Sequence, residues 1–558
     1  MKINRMLSCL LLVCAISLPL AIIAQETANS LSAKAYDAYK QKDYEKSAQF
    51  FAAAIKQGAQ EADLFYDAAC AFALAGKKNE AFDYLAQSLN RGYIRLDNLK
   101  KDTDLTTLHD DPRWPKLVEQ CAAAMKLQAS LWDNPALNFA YRANLSEDEK
   151  IAGLSKFWSE AKFNFANFDL VPDLDWDALY LAYLPKVRQT KSTLEYYRVL
   201  MEMCAQLKDA HTNVNPPGAL SDEVFARPAF RTRLIEDKVL VRLVYDDKLQ
   251  AEGVQPGVEV VEINGLPVKQ YGEQRVKPYQ SASTAQDLEV RMYEYALLNG
   301  PSSEPLEVTF RDAKGQTFKK TLPRLTAKEL AEKTKALPPS QLMTFKVMPG
   351  NIGYVTLNSF QDEKIVAQFA EAFAEIEKTD ALIIDIRSNG GGNSSHGWNI
   401  LGYLTDKPFK TSQWKTRDYR PSFRAWGRPE GWHVGAPGEW QPKGNKLYTK
   451  PVVVLTSPRT FSAAEDFAVA FDFMKRGKII GEPTGGSTGQ PLFFNLPGGG
   501  NARVCTKRDT YPDGKEFVGV GVQPNKLVRP TVADFRAGRD TVLEAALDEL
   551  KKHAPMTK

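Results

Sequence analysis

Cysteine is scarce in this chain, six residues in 558, and two of them, Cys9 and Cys14, fall in the first apolar stretch. The other four, Cys70, Cys121, Cys204 and Cys505, are far too sparse to staple a fold. They read as small buried hydrophobes, with a Cys70–Cys121 bridge left open. No zinc-spaced Cys/His cluster occurs, so no metal site is expected. Neither G-x-G-x-x-G nor G-x-x-x-x-G-K-S/T is present, which removes the phosphate-cradling fingerprints and leaves no cofactor to expect. Long basic runs are missing too. The net charge is only +4, and losing Lys2 and Arg5 with a leader lowers it further, a balance that argues against nucleic acid. Histidine is also rare, with five residues: His109, His211, His396, His433 and His553.

What is present is a pair of strand-then-turn patterns. Val452 to Thr456 is a buried-strand run, and soon after it Thr460, Phe461, Ser462, Ala463, Ala464 and Glu465 open a helix. A serine between strand and helix is well placed for acyl transfer, because the N–H groups and dipole of the helix start favour a developing oxyanion. The same tetrapeptide, Ser462 to Glu465, is also a capping box, and taken alone it reads first as one; only the other segments favour the nucleophile. The second pattern is Ala381 to Asp385, another apolar strand, ending in Gly390, Gly391 and Gly392. Consecutive glycines let backbone amides point into a cleft without side-chain obstruction.

These motifs, in order with the His211 segment (Leu207 to Thr212), the strand at 354–360, the turn at 480–489 and the stretch Gly519 to Pro524, resemble the tail-specific (C-terminal processing) serine peptidases and the related tricorn core and retinoid-binding modules. The resemblance spans roughly residues 140–550. In the bacterial processing branch the nucleophile is paired with a lysine in a Gly-Lys-Gly loop; here that loop reads Gly485, Gly486, Ser487, Thr488, Gly489, so Ser487 stands where the lysine falls. The tricorn-like branch carries an upstream histidine whose neighbourhood His211 matches. The resemblance therefore implies Ser462 as nucleophile and His211 as general base; His396, four residues after the glycine run, is the rival base by its position. It implies an orienting carboxylate near the C-terminus, for which Glu516 is the nearest candidate and Asp209 and Glu465 are alternatives. The backbone N–H groups of Gly391 and Ala463 are expected to form the oxyanion hole.

The fold class expected is multidomain α+β. After a signal peptide over 1–24, tetratricopeptide-like helical repeats are expected over 25–130, on the strength of a 34-residue self-similarity between the segments beginning at Asp43 and Lys77. A helical domain follows over 131–215, then a PDZ-like β-rich domain over 216–335 around Gly253 to Gly265. The catalytic core, a βα sandwich of crotonase-like type, is expected over 336–558. The apolar leader implies an exported protein, periplasmic or secreted, touching membrane only if that segment stays uncleaved. The expected function is a cofactor-independent serine endopeptidase acting on protein or peptide substrates, selected through their C-termini. A protein partner on the helical repeats is a further expectation. The alternative is a non-catalytic protein binding peptides or apolar ligands on the same fold.

Overall fold

The computed structural model describes residues 27–132, 135–335, 337, 339–444 and 446–551; the leader expected over 1–24 lies outside them, as does His553. Among the described residues no helix is long and apolar enough to cross a membrane. The chain is a mixed α/β protein that separates into two compact units, Met1–Pro135 and Ala136–Lys558.

In the first unit four helices of 13 residues, Ala28–Lys40, Tyr44–Lys56, Ala62–Leu74 and Lys78–Asn90, form two successive pairs. Alanine explains their close approach: Ala35, Ala48, Ala54, Ala68, Ala69, Ala71 and Ala81 are completely buried around Phe51 and Leu85. The helix Trp114–Trp132 covers the end of this core with Trp114, Leu117 and Cys121.

The second unit is organised by a six-stranded sheet in the order Lys526–Leu527, Lys478–Gly481, Val452–Thr456, Ala381–Asp385, Ile352–Leu357, Met343–Met348, parallel except for the last pairing. Helices cover both faces. Lys364–Ile376, Ser394–Leu401 and Ala463–Phe473 bring Phe369, Phe373, Ile400, Phe467 and Phe471 to one side, and Thr541–Lys551 brings Val542, Ala546 and Leu550 to the other. Every residue of strands Ala381–Asp385 and Val452–Thr456 is buried, which is why both read as unbroken apolar runs rather than alternating ones. Asp385 lies opposite Leu455, so the two strands end at the same level and their outgoing loops emerge side by side. In open parallel sheets that edge is where sites are built.

Helices Glu147–Asn164, Trp176–Gln189 and Thr193–Ala205 pack Phe157, Tyr196 and Tyr197 against Leu496, Ala502 and Val504 of the hairpin Pro491–Leu496/Gly500–Cys505. The short strand Asn213–Asn215 joins that hairpin, Asn213 opposite Arg503, and so carries the preceding His211 loop onto the core. A separate β-rich region holds strands Phe230–Ile235, Lys238–Val244, Glu259–Ile263, Leu306–Arg311 and Thr317–Leu322 in that order around Val260, Val308 and Phe310. The four described cysteines are free and buried, so no Cys70–Cys121 bridge forms.

Candidate active site

Ser462 occupies the residue between the loop after Val452–Thr456 and the helix Ala463–Phe473, with φ 56° and ψ −127°. A left-handed φ is uncommon for a residue with a Cβ, and it persists only where the surroundings over-determine it. Here they do: the Ser462 N–H donates to the Ser487 carbonyl at 3.1 Å and to Glu465 Oε2 at 3.1 Å, and Phe461 N–H donates to the Asn389 carbonyl at 3.1 Å. The return arm of the capping box, Glu465 to the Ser462 N–H, is therefore present. The Ser462 hydroxyl itself is turned to a histidine: His211 Nε2 lies 3.1 Å from Ser462 Oγ.

His211 is held as closely as the serine. Its N–H donates to Asp209 Oδ1 at 3.0 Å, and that carboxylate also accepts from Thr212 Oγ1 at 2.9 Å and Asn167 Nδ2 at 2.9 Å. Asp209 thus fixes the backbone of the histidine loop and leaves the ring to others. One face of the ring stacks on Phe461 at 4.7 Å with the planes 9° apart. Burial, reinforced by Arg503, Arg291 and Lys507, pushes His211 down to about 3. The ring is accordingly neutral at physiological pH, with a lone pair free to accept a proton.

The second ring nitrogen meets a hydroxyl. Ser487 Oγ is 2.8 Å from His211 Nδ1, and a proton on Nδ1 donated to it leaves the Nε2 lone pair facing Ser462. Ser487 is fully buried, and its N–H donates to Glu465 Oε2 at 2.9 Å. Glu465 also accepts from Gly486 N–H at 2.7 Å and Thr484 Oγ1 at 2.5 Å. Complete burial pushes Glu465 up to about 8, against those hydrogen bonds, which pull it down. This carboxylate ties the Ser487 loop to the helix that Ser462 opens.

Glu516, expected from the resemblance to orient the histidine, is elsewhere. Its carboxylate pairs with Lys415 Nζ at 2.5 Å and lies 3.6 Å from Arg508 Nε, two cations that hold it away from the ring. The rival base His396 directs Nδ1 to the Phe360 carbonyl at 2.9 Å. His433 sits exposed beside Trp414, and His109 lies against Trp114 in the first unit.

Gly391 comes close to Ser462, but as a space rather than a donor. It has φ +96°, and a Cβ built on it meets Ser462 Cβ and the Phe461 carbonyl, each at 2.7 Å, and Ala463 N at 3.0 Å. Its own N–H donates to Asn389 Oδ1 at 2.9 Å. The Gly391 amide expected as an oxyanion donor is thus engaged by Asn389, and the next residue, Gly392, lines the same cavity as Ser462. Ala463 N–H lies in the first helical turn, before the intrahelical hydrogen bonds begin, with its nitrogen 3.0 Å from where a Cβ on Gly391 would stand.

Sequence reasoning missed Ser487 as the partner of the ring, although its place in the glycine loop marked it. It also missed Asp466, Lys507 and Asp509, which line a cavity of about 370 Å³ beside Ser462. Nothing in their spacing separates them from ordinary helix and strand charges.

With this geometry in place, comparison with known proteins is specific. Residues 351–528 match the profile of Peptidase family S41. That segment carries the likeness to the S41 peptidases. The chain is 27% identical over 243 residues, 42% of its length and 48% of the other's, to the chloroplastic C-terminal processing peptidase of Tetradesmus obliquus. It is 23% identical, over 69% of its length and 31% of the other's, to putative tricorn protease homolog 2 of Streptomyces coelicolor. It spans about half the length of the first two curated relatives, 48% and 44%. Among solved structures, mature CPAF complexed with lactacystin superposes with TM-score 0.57 at 16% identity, covering 73% of this chain and 98% of that one, a likeness of fold. Within the matched segment, Ser487 stands where the resemblance puts a lysine, and His211, from outside the segment, faces Ser462.

Proposed function

We propose that the protein is a serine endopeptidase working through a Ser462–His211 couple. The observation that carries this reading is His211 Nε2 at 3.1 Å from a serine hydroxyl held at φ 56° on a helix start. Ser462 Oγ attacks the peptide carbonyl carbon while His211 Nε2 takes its proton. The carbonyl oxygen becomes an oxyanion facing the N–H groups of Ala463 and Gly392. Collapse breaks the C–N bond, the amine leaves with the proton from His211, and water then repeats the sequence on the acyl-enzyme. The oxyanion also offsets the positive field of Arg503, Arg291 and Lys507, so the imidazolium is easier to form in the transition state than in the resting site.

Substrates are proteins or peptides selected through their chain ends. The PDZ-like reading of the β-rich region supports that choice, since such domains take a C-terminal strand on a sheet edge. The core is read as crotonase-like, and the paired N-terminal helices as tetratricopeptide-like repeats offering a protein partner a surface. The apolar leader supports export to the periplasm or outside.

Labelling with a serine-directed fluorophosphonate tests the reading. One adduct on Ser462, located by peptide mass, is expected, and its absence in Ser462→Ala and strong reduction in His211→Ala should follow. Labelling at another residue, or none at all, would reject it.

A further inference from the structure

The cavity of about 370 Å³ beside the nucleophile carries Ser462, Gly392 and Trp398 on its wall together with Asp466, Lys507 and Asp509. Ser462 and Asp466 are four residues apart at the head of one helix, so they share a face one turn apart. Asp466 is held by neutral groups: Ser394 Oγ donates to Oδ2 at 2.6 Å and Ser412 Oγ to Oδ1 at 2.8 Å. The second carboxylate, Asp509, accepts from Lys507 Nζ at 2.8 Å and is almost completely buried. Charge in the cavity therefore does not balance, with two carboxylates to one ammonium. Burial and then the neighbouring Asp509 raise the pKa of Asp466, while Ser394, Lys507 and Ser412 pull it down; among the described residues no cation is bonded to it.

A cationic side chain entering here supplies the missing charge, and the half-buried Trp398 offers a ring for its alkyl stem or guanidinium. An apolar side chain instead covers Asp466 without pairing it, and an acidic one adds a third negative charge. Because Ser462 and Gly392 share this wall, the first side chain to reach the cavity is that of the residue whose carbonyl is attacked. Resting on the peptidase reading, we infer that the cavity selects lysine or arginine on the acyl side of the scissile bond, with Asp466 as the specificity-determining group.

Kinetics of the full chain on peptides differing only at that residue, with Lys, Arg, Gln, Ala, Leu or Glu, test the inference. Values of kcat/KM at least about tenfold higher for Lys and Arg than for Ala and Leu are expected, with Glu lowest. Asp466→Asn should bring the Lys-to-Leu ratio down by about tenfold or more. The wild-type profile decides the matter even if that variant fails to fold. Equal or better cleavage after Ala or Leu, or a cation preference confined to the other side of the bond, overturns the inference while leaving an active enzyme. Absence of any cleavage, with Ser462 unlabelled by fluorophosphonate, overturns the peptidase reading and the inference together.

Discussion

The hydroxyl of Ser487 lies 2.8 Å from Nδ1 of His211, and among the described residues no carboxylate is bonded to that nitrogen. A carboxylate there fixes the tautomer and also stabilises the imidazolium; a hydroxyl does the first and contributes little to the second. The base is therefore oriented by a neutral group in a positive field, and its behaviour should reflect that.

Ser487→Ala should lower kcat by about tenfold to a hundredfold with little change in KM, because Nε2 loses its enforced lone pair while the substrate contacts stay. Ser487→Thr should recover most of the loss. Steady-state kinetics check this, and an unchanged kcat in Ser487→Ala would remove Ser487 from its positioning role.

The pH profile follows from His211. A general base must be unprotonated, so activity falls as pH drops through its pKa. With that value pushed down to about 3, kcat/KM should not show the decline near pH ~6.5 that an ordinary imidazole gives. Folding is linked in the same direction: the unfolded histidine takes a proton below about pH 6.5 and the folded one does not, so stability is lost as pH falls from there toward 3. Rates and circular dichroism measured together should show that losses on the acid side track unfolding.

Gly391→Ala should inactivate the protein more than it unfolds it. A Cβ there stands 2.7 Å from Ser462 Cβ, at a φ of +96° that L-residues rarely adopt. A fall in kcat/KM of about a hundredfold or more is expected, from displacing the nucleophile and its oxyanion donors. Turnover near wild type would show that the loop relaxes freely.

Glu516→Gln should change turnover less than about twofold, since a half-exposed ion pair with Lys415 has little effect on a site it does not touch. A large loss of kcat would restore Glu516 to the catalytic group.

The strands leading to the site are legible because burial on both faces of a parallel sheet writes Ala381–Asp385 and Val452–Thr456 as apolar runs, and glycine and serine mark where they stop. The meeting of His211 with Ser462 is not legible from spacing. It depends on Asn213 pairing with Arg503 in a three-stranded sheet, a long-range contact with no local signal, and only the family resemblance pointed to the Ser462–His211 couple. Glu516 was chosen by its distance from a C-terminal motif, and its partners Lys415 and Arg508 come from other strands, so local sequence carries no warning. Gly391 reads as an amide donor until the Asn389 side chain, two residues back, is seen to occupy it.

The most direct test of the account is hydrolysis of peptides and an unfolded protein by the wild-type chain beside Ser462→Ala, His211→Ala and His396→Ala. Losses of about a thousandfold or more are expected for the first two, and near-normal turnover for His396→Ala. Cleavage that persists in Ser462→Ala, or that survives without His211 and disappears without His396, would contradict it.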